Sequence, residues 1–227
     1  IRAITDRLED AFQVRMLSHR AGRWAFNETY ARLLVEHGYQ VDCSVTPHVR
    51  WQHEYRPLSC TVDYRGFPED GYFADLDDIS KRSDCSLLLE LPMTILDVER
   101  PWPLQLAANL AGLHTFGERV ANRLAPTKWW LRPDGLNGER MLATLDIALD
   151  QKRDYVEFML HSSELMPGGS PRFGSERKIE RLYDDLERLF ERASQSFAGA
   201  TLTEYRDRVV SQRHLKEHTP IAEPVAA

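Results

Sequence analysis

Short apolar runs that alternate with amphipathic helical stretches constrain this chain more than any other feature. The runs are "VRMLSH" (14–19), "YQVDCSV" (39–45), "SLLLELP" (86–92), "YVEFMLH" (155–161) and "ATL" (200–202). Between them lie helical patterns. Ile1, Ile4, Leu8 and Phe12 recur at helical spacing, and Asn27 can cap a helix that Gly38 ends. Met141, Leu142, Leu145 and Leu149 form one stripe, and Ser175 caps a long helix with Ile179, Leu182, Tyr183, Leu186, Leu189, Phe190 and Ala193 on its buried face. A further helix is expected over 104–124, weakened by Gly112 and Gly117. Strands alternating with helices predict an α/β fold with a parallel sheet or barrel.

The 227 residues allow one large domain. The expected body spans 1–212, with an irregular insertion at about 47–85 and a disordered tail at 213–227. So long an insertion is usually a binding loop. With a net charge of −6, the chain offers no electrostatic case for nucleic acid, and no apolar stretch approaches a membrane span. Cys43, Cys60 and Cys85 are too scattered for a disulfide framework or a cysteine zinc site, which fits a reducing, cytoplasmic setting. There is no glycine-rich phosphate loop, Gly-x-Ser-x-Gly elbow or Cys-x-x-Cys pair.

In parallel α/β folds chemistry gathers at the carboxyl ends of the strands. Here those ends carry His19 and Arg20, Asp42, Glu90, and His161. His161 suits proton transfer, with Glu164 as a neighbouring carboxylate to orient it; a strand-end histidine bonded to backbone is the plainer reading. Arg20 and Arg23 can clamp a carboxylate or substrate oxygens, and Trp24 can stack on a sugar; a salt-bridged arginine with a packed tryptophan is the alternative. Asp42 either orients one of these groups or caps the turn before Pro47. The pairs His214/His218 and His48/His53 lack a third ligand and read as solvated.

Three stretches, "HRAGRW", "YQVDCSVTP" and "FMLHSSEL", resemble in order the later motifs of the polysaccharide deacetylases of the NodB-homology type. The likeness extends through "GATLTEY", and the leucine directly before His161 departs from that family's Leu-x-His spacing. It implies part of an irregular (β/α) barrel and, for the complete domain, metal-assisted removal of acetyl groups from an N-acetylated polysaccharide. It further implies His161 as the acid that protonates the leaving amine, Arg20 as a tether for a catalytic aspartate, Trp24 as groove wall and Asp42 as support for the histidine. A divalent, zinc-like metal is implied for the complete domain, its Asp and His-x-x-x-His ligands falling before the arginine motif. Only 19 residues precede Arg20 and none forms those motifs, so the expectation is the C-terminal part of such a domain. The alternative is a non-catalytic carbohydrate-binding relic, stacking sugars on Trp24, Trp51, Trp129 and Trp130, or a truncated fragment.

Overall fold

In the computed structural model, residues 1–54, 59–99, 101–103, 106 and 126–218 are described. Helix α1 (Arg2–Phe12) leads to strand β1 (Ser18–His19), a 3-10 turn (Gly22–Trp24), α2 (Glu28–Glu36) and β2 (Val41–Asp42). Strands β3 (Arg50–Glu54), β4 (Ser59–Asp63) and β5 (Tyr72–Phe73) follow. Then come β6 (Leu89–Glu90), β7 (Ile95–Asp97) and β8 (Lys128–Trp130). Three helices complete the described chain: α3 (Gly138–Asp150), α4 (Glu176–Ser194) and α5 (Leu202–His218).

The fold is mixed α/β, as the alternation implies. Its central sheet has the order β1-β2-β6-β5; β1, β2 and β6 run parallel and β5 is antiparallel. The chain continues from β6 into β7, which pairs with β8 in a separate antiparallel ladder. Among the described residues no closed barrel forms.

Local chemistry explains most elements. Asn27 Oδ1 accepts the Tyr30 N–H at the start of α2, and Gly38, at φ +81°, ends it in a conformation that L-residues avoid. On α4, Ile179, Leu182 and Leu186 are buried one helical turn apart against Phe173, and Leu189 packs on Met141 and Leu145 of α3. Tyr183 and Phe190, expected on the same face, lie at its edge and are about half exposed.

Several expectations change, and one falls outside the described residues. The insertion at 47–85 is structured: β3 and β4 form a hairpin, and β5 joins the central sheet against β6. Its strands are short and edge-like, so alternation is too brief to mark them. The helix expected at 104–124 lies outside the described residues apart from Leu106. Helix α5 runs to His218, through the expected tail boundary. Thr201 starts it, where a strand was expected at 200–202: Thr201 Oγ1 accepts the Glu204 N–H while Glu204 Oε2 accepts the Thr201 N–H. Finally, α1 turns Ile4 and Phe12 outward; its buried residue is Thr5, whose hydroxyl meets Tyr39 Oη at 2.9 Å.

Segment 155–161 is extended but belongs to no ladder. Its inner edge is held by Glu157 N–H donating to Thr94 Oγ1 and Met159 N–H donating to the Leu131 carbonyl. After it, residues 162–169 fold tightly back, and a Cβ on Gly169 would collide with the Ser163 carbonyl. Gly169→Ala is therefore expected to cost about 1–3 kcal/mol. Gly174→Ala, where a Cβ meets nothing within 4 Å, is the control. Thermal melts of both variants check this.

Candidate functional site

The parallel register aligns His19, Asp42 and Glu90 in one row across β1, β2 and β6. Side chains in one row point to one face of a sheet. Asp42 is fully buried. Its Oδ1 accepts from His19 Nδ1 at 2.6 Å and from Ser44 Oγ at 3.0 Å, and its Oδ2 accepts the Ser44 N–H at 2.9 Å. Ser44 Oγ in turn accepts the Ala21 N–H at 2.7 Å. Glu90, also fully buried, accepts the Val45 N–H at 2.9 Å. Burial first, and the adjoining Asp42 second, push the Glu90 carboxyl well above the usual carboxylate range. Its Oε2 is buried with no hydrogen-bond partner among the described residues. His19 is flanked by Tyr30 and Tyr39, with ring centroids 5.0 and 5.8 Å away.

Arg20 falls on the opposite parity from His19 and so on the opposite face. There its guanidinium lies 5.0 Å from the Trp24 ring centroid, a cation–π arrangement. Arg23 and Trp24 both sit in the left-handed region, at φ +57° and +61°. That conformation is rare for bulky residues and costs on the order of 1–3 kcal/mol each. The surroundings hold it in place: Tyr64 Oη donates to the Trp24 carbonyl at 2.6 Å, and the buried Trp24 ring packs among Val45, Met93 and Met159. Trp51 stacks on Trp24 at 6.5 Å, and Trp130 meets both rings edge-on at 6.2 Å.

On Arg20's face lies a carboxylic acid that the sequence reading did not single out. Glu157 shares the parity of Tyr155, Met159 and His161 along the extended segment. Its Oε2 is buried without a hydrogen-bond partner, and the Cys43 thiol lies against the carboxyl. Burial pushes its pKa up to about 8, the Cys43 contact and Arg20 opposing and Asp42 adding to the rise. At neutral pH Glu157 keeps its proton. Burial also pushes the Cys43 thiol far up, which makes it unreactive as a nucleophile.

The structure thus separates the residues that sequence analysis grouped. Arg20, Trp24 and Glu157 share one face. Asp42 lies on the other and orients His19; among the described residues it makes no contact with His161 or Arg20. The His161 ring is exposed at the end of its segment. Glu164 is buried, accepts the His161 backbone N–H at 3.0 Å and faces Arg132 at 3.5 Å, so its carboxylate anchors the turn through the backbone. Trp129 donates to the Pro126 carbonyl and stands apart from the other three tryptophans. The signal for Glu157 was an acid at the inward parity of an otherwise apolar run. Among the described residues no three His, Cys, Asp or Glu side chains converge as a metal ion requires, and no helix is long and apolar enough to cross a membrane.

Comparison with protein-family models, with curated proteins and with solved structures finds no match to this chain.

Two outcomes follow from this geometry. Asp42→Ala leaves His19 Nδ1 and the Ser44 N–H and hydroxyl without their acceptor, with an expected loss of about 3 kcal/mol by denaturant unfolding. For Glu157 the folded pKa lies above that of the unfolded chain. Between about pH 4.5 and 8 the folded protein binds the extra proton, so stability falls as pH rises through that window. Glu157→Gln removes this slope: it should raise the melting temperature at pH 8 and leave it unchanged near pH 4, as paired melts would record.

Proposed function

We propose that this chain forms the sugar-facing part of a carbohydrate N-deacetylase-like hydrolase, built on part of an irregular (β/α) barrel. The complete domain would remove acetyl groups from an N-acetylated polysaccharide. One observation carries the reading. The Gly22–Trp24 turn at the carboxyl end of β1 holds Arg23 and Trp24 in strained backbone, with Arg20 stacked on the indole. Strain that its surroundings hold in place is characteristic of ligand-contacting turns, and the turn lies in the stretch that carries the resemblance to the deacetylase arginine motif.

In this reading the exposed Arg20 borders the groove and binds the sugar through its oxygens, and the buried Trp24 ring backs Arg20 as packed groove wall without touching the sugar. Water adds to the acyl carbon, the C–N bond breaks as the exposed His161 gives a proton to the departing amine nitrogen, and a proton of the added water returns to His161 as the acid product leaves. Asp42 serves the framework, through His19, and does not act on His161. The divalent metal of the resembling family would polarise the acyl oxygen. The described residues of this chain do not fit it, and no step above is routed through it.

A second reading, carbohydrate binding without turnover, is favoured by Trp51 and Trp130, which remain partly exposed beside Trp24. One assay separates the two: acetate release from N-acetylglucosamine oligomers, measured beside their binding. The hydrolase reading expects release, reduced about 10²–10⁴-fold in His161→Ala with binding retained, and weaker binding in Arg20→Ala. Binding without acetate release replaces it with the second reading.

A further inference from the structure

A cleft of about 1000 Å³ opens between segment 152–158, the C-terminal end of α4 and the start of α5. Leu91, Leu131, Tyr155, Glu157, Phe158 and Tyr205 are among its lining residues. The Tyr155 and Tyr205 rings pair at 5.2 Å, tilted by 59°, and Arg208 lies 5.0 Å from the Tyr205 ring centroid. Apolar walls with paired aromatics and a few polar groups are the usual make-up of a small-molecule site.

Three features of the cleft point to a ligand. First, Glu157 has a buried carboxyl oxygen that no protein donor or acceptor satisfies, and such groups are rare in folded proteins. Second, it stands in the cleft wall on the face that carries Arg20. Third, the backbone N–H and carbonyl groups of Val156 and Phe158, both in the cleft wall, make no hydrogen bond with another described residue, which leaves that edge open to a ligand. A ligand that both donates and accepts along its length complements such a wall, and an amide does both.

We propose that Glu157 recognises the acyl oxygen of an N-acetylated sugar bound in this cleft, by donating a hydrogen bond to it. The sugar ring lies against the Tyr155–Tyr205 pair. The assignment rests on the deacetylase-like reading for its ligand class and adds to it a residue and a subsite. A carboxylic acid kept protonated by an apolar site is a competent donor near neutral pH. Among the charged and titratable groups around Glu157, Asp42 from β2, Glu90 from β6 and Tyr155 from its own segment are acidic neighbours, whereas the Cys43 thiol just after β2 and the Arg20 cation oppose the protonated state without overcoming burial.

The test is isothermal titration of the full chain with an N-acetylglucosamine tetramer from pH 6 to 10, beside the fully deacetylated glucosamine tetramer. Wild-type affinity for the acetylated oligomer should hold constant to about pH 8 and then fall about tenfold per pH unit. Glu157→Gln keeps a donor at every pH, so it should retain the affinity and lose the pH dependence. Glu157→Leu fills the space without a donor and should weaken binding at least tenfold. A structural role alone would not divide the two variants in this way. Binding that is unchanged in Glu157→Leu, or equal for the two oligomers, overturns the Glu157 assignment while leaving the carbohydrate reading intact. No binding of either oligomer to a folded wild-type chain overturns both.

Discussion

The fold depends on one buried row of polar side chains. His19, Asp42 and Glu90 stand abreast on three parallel strands, in the middle of packing that is otherwise apolar. Buried carboxyls are tolerated only when charge and hydrogen bonds are satisfied. Here one acid keeps its proton and the other collects donors from His19 and Ser44. Because each of the three strands contributes one member, the network fixes their register. A one-residue slip would move every member to the opposite face.

That register divides the work between the two faces. On one, His19, Asp42 and Glu90 bind the strands to each other beneath α2. On the other, Arg20 meets the strained turn and its tryptophan, and Cys43 lies against Glu157. The two faces touch electrostatically, since Asp42 contributes to the raised pKa of Glu157 and Glu157 to that of Glu90. Asp42 of the framework network thus helps keep Glu157, on the other face, protonated.

Much of the architecture was legible in local chemistry. Asn27, Gly38 and the α4 stripe each act within one or two turns of helix, so the sequence alone announces them. The Thr201-x-x-Glu204 box was equally local, yet a short "ATL" run resembling a strand obscured it. The insertion was opaque for another reason. Its strand β5 is defined by pairing with β6, residues distant in sequence, and two residues carry no readable period.

For the site, the sequence determined which residue types sit at the strand ends: His19, Arg20, Asp42, Glu90 and His161. It also placed the strained Gly-Arg-Trp turn directly after β1. Which of these groups meet was decided only by tertiary structure. Parity assigns Arg20 and Asp42 to opposite faces, and register then gives Asp42 to His19 and leaves His161 exposed. The state of Glu157 is likewise tertiary. A carboxyl's pKa depends on the water removed around it and on charges brought close by folding, and neither is encoded in its neighbours along the chain.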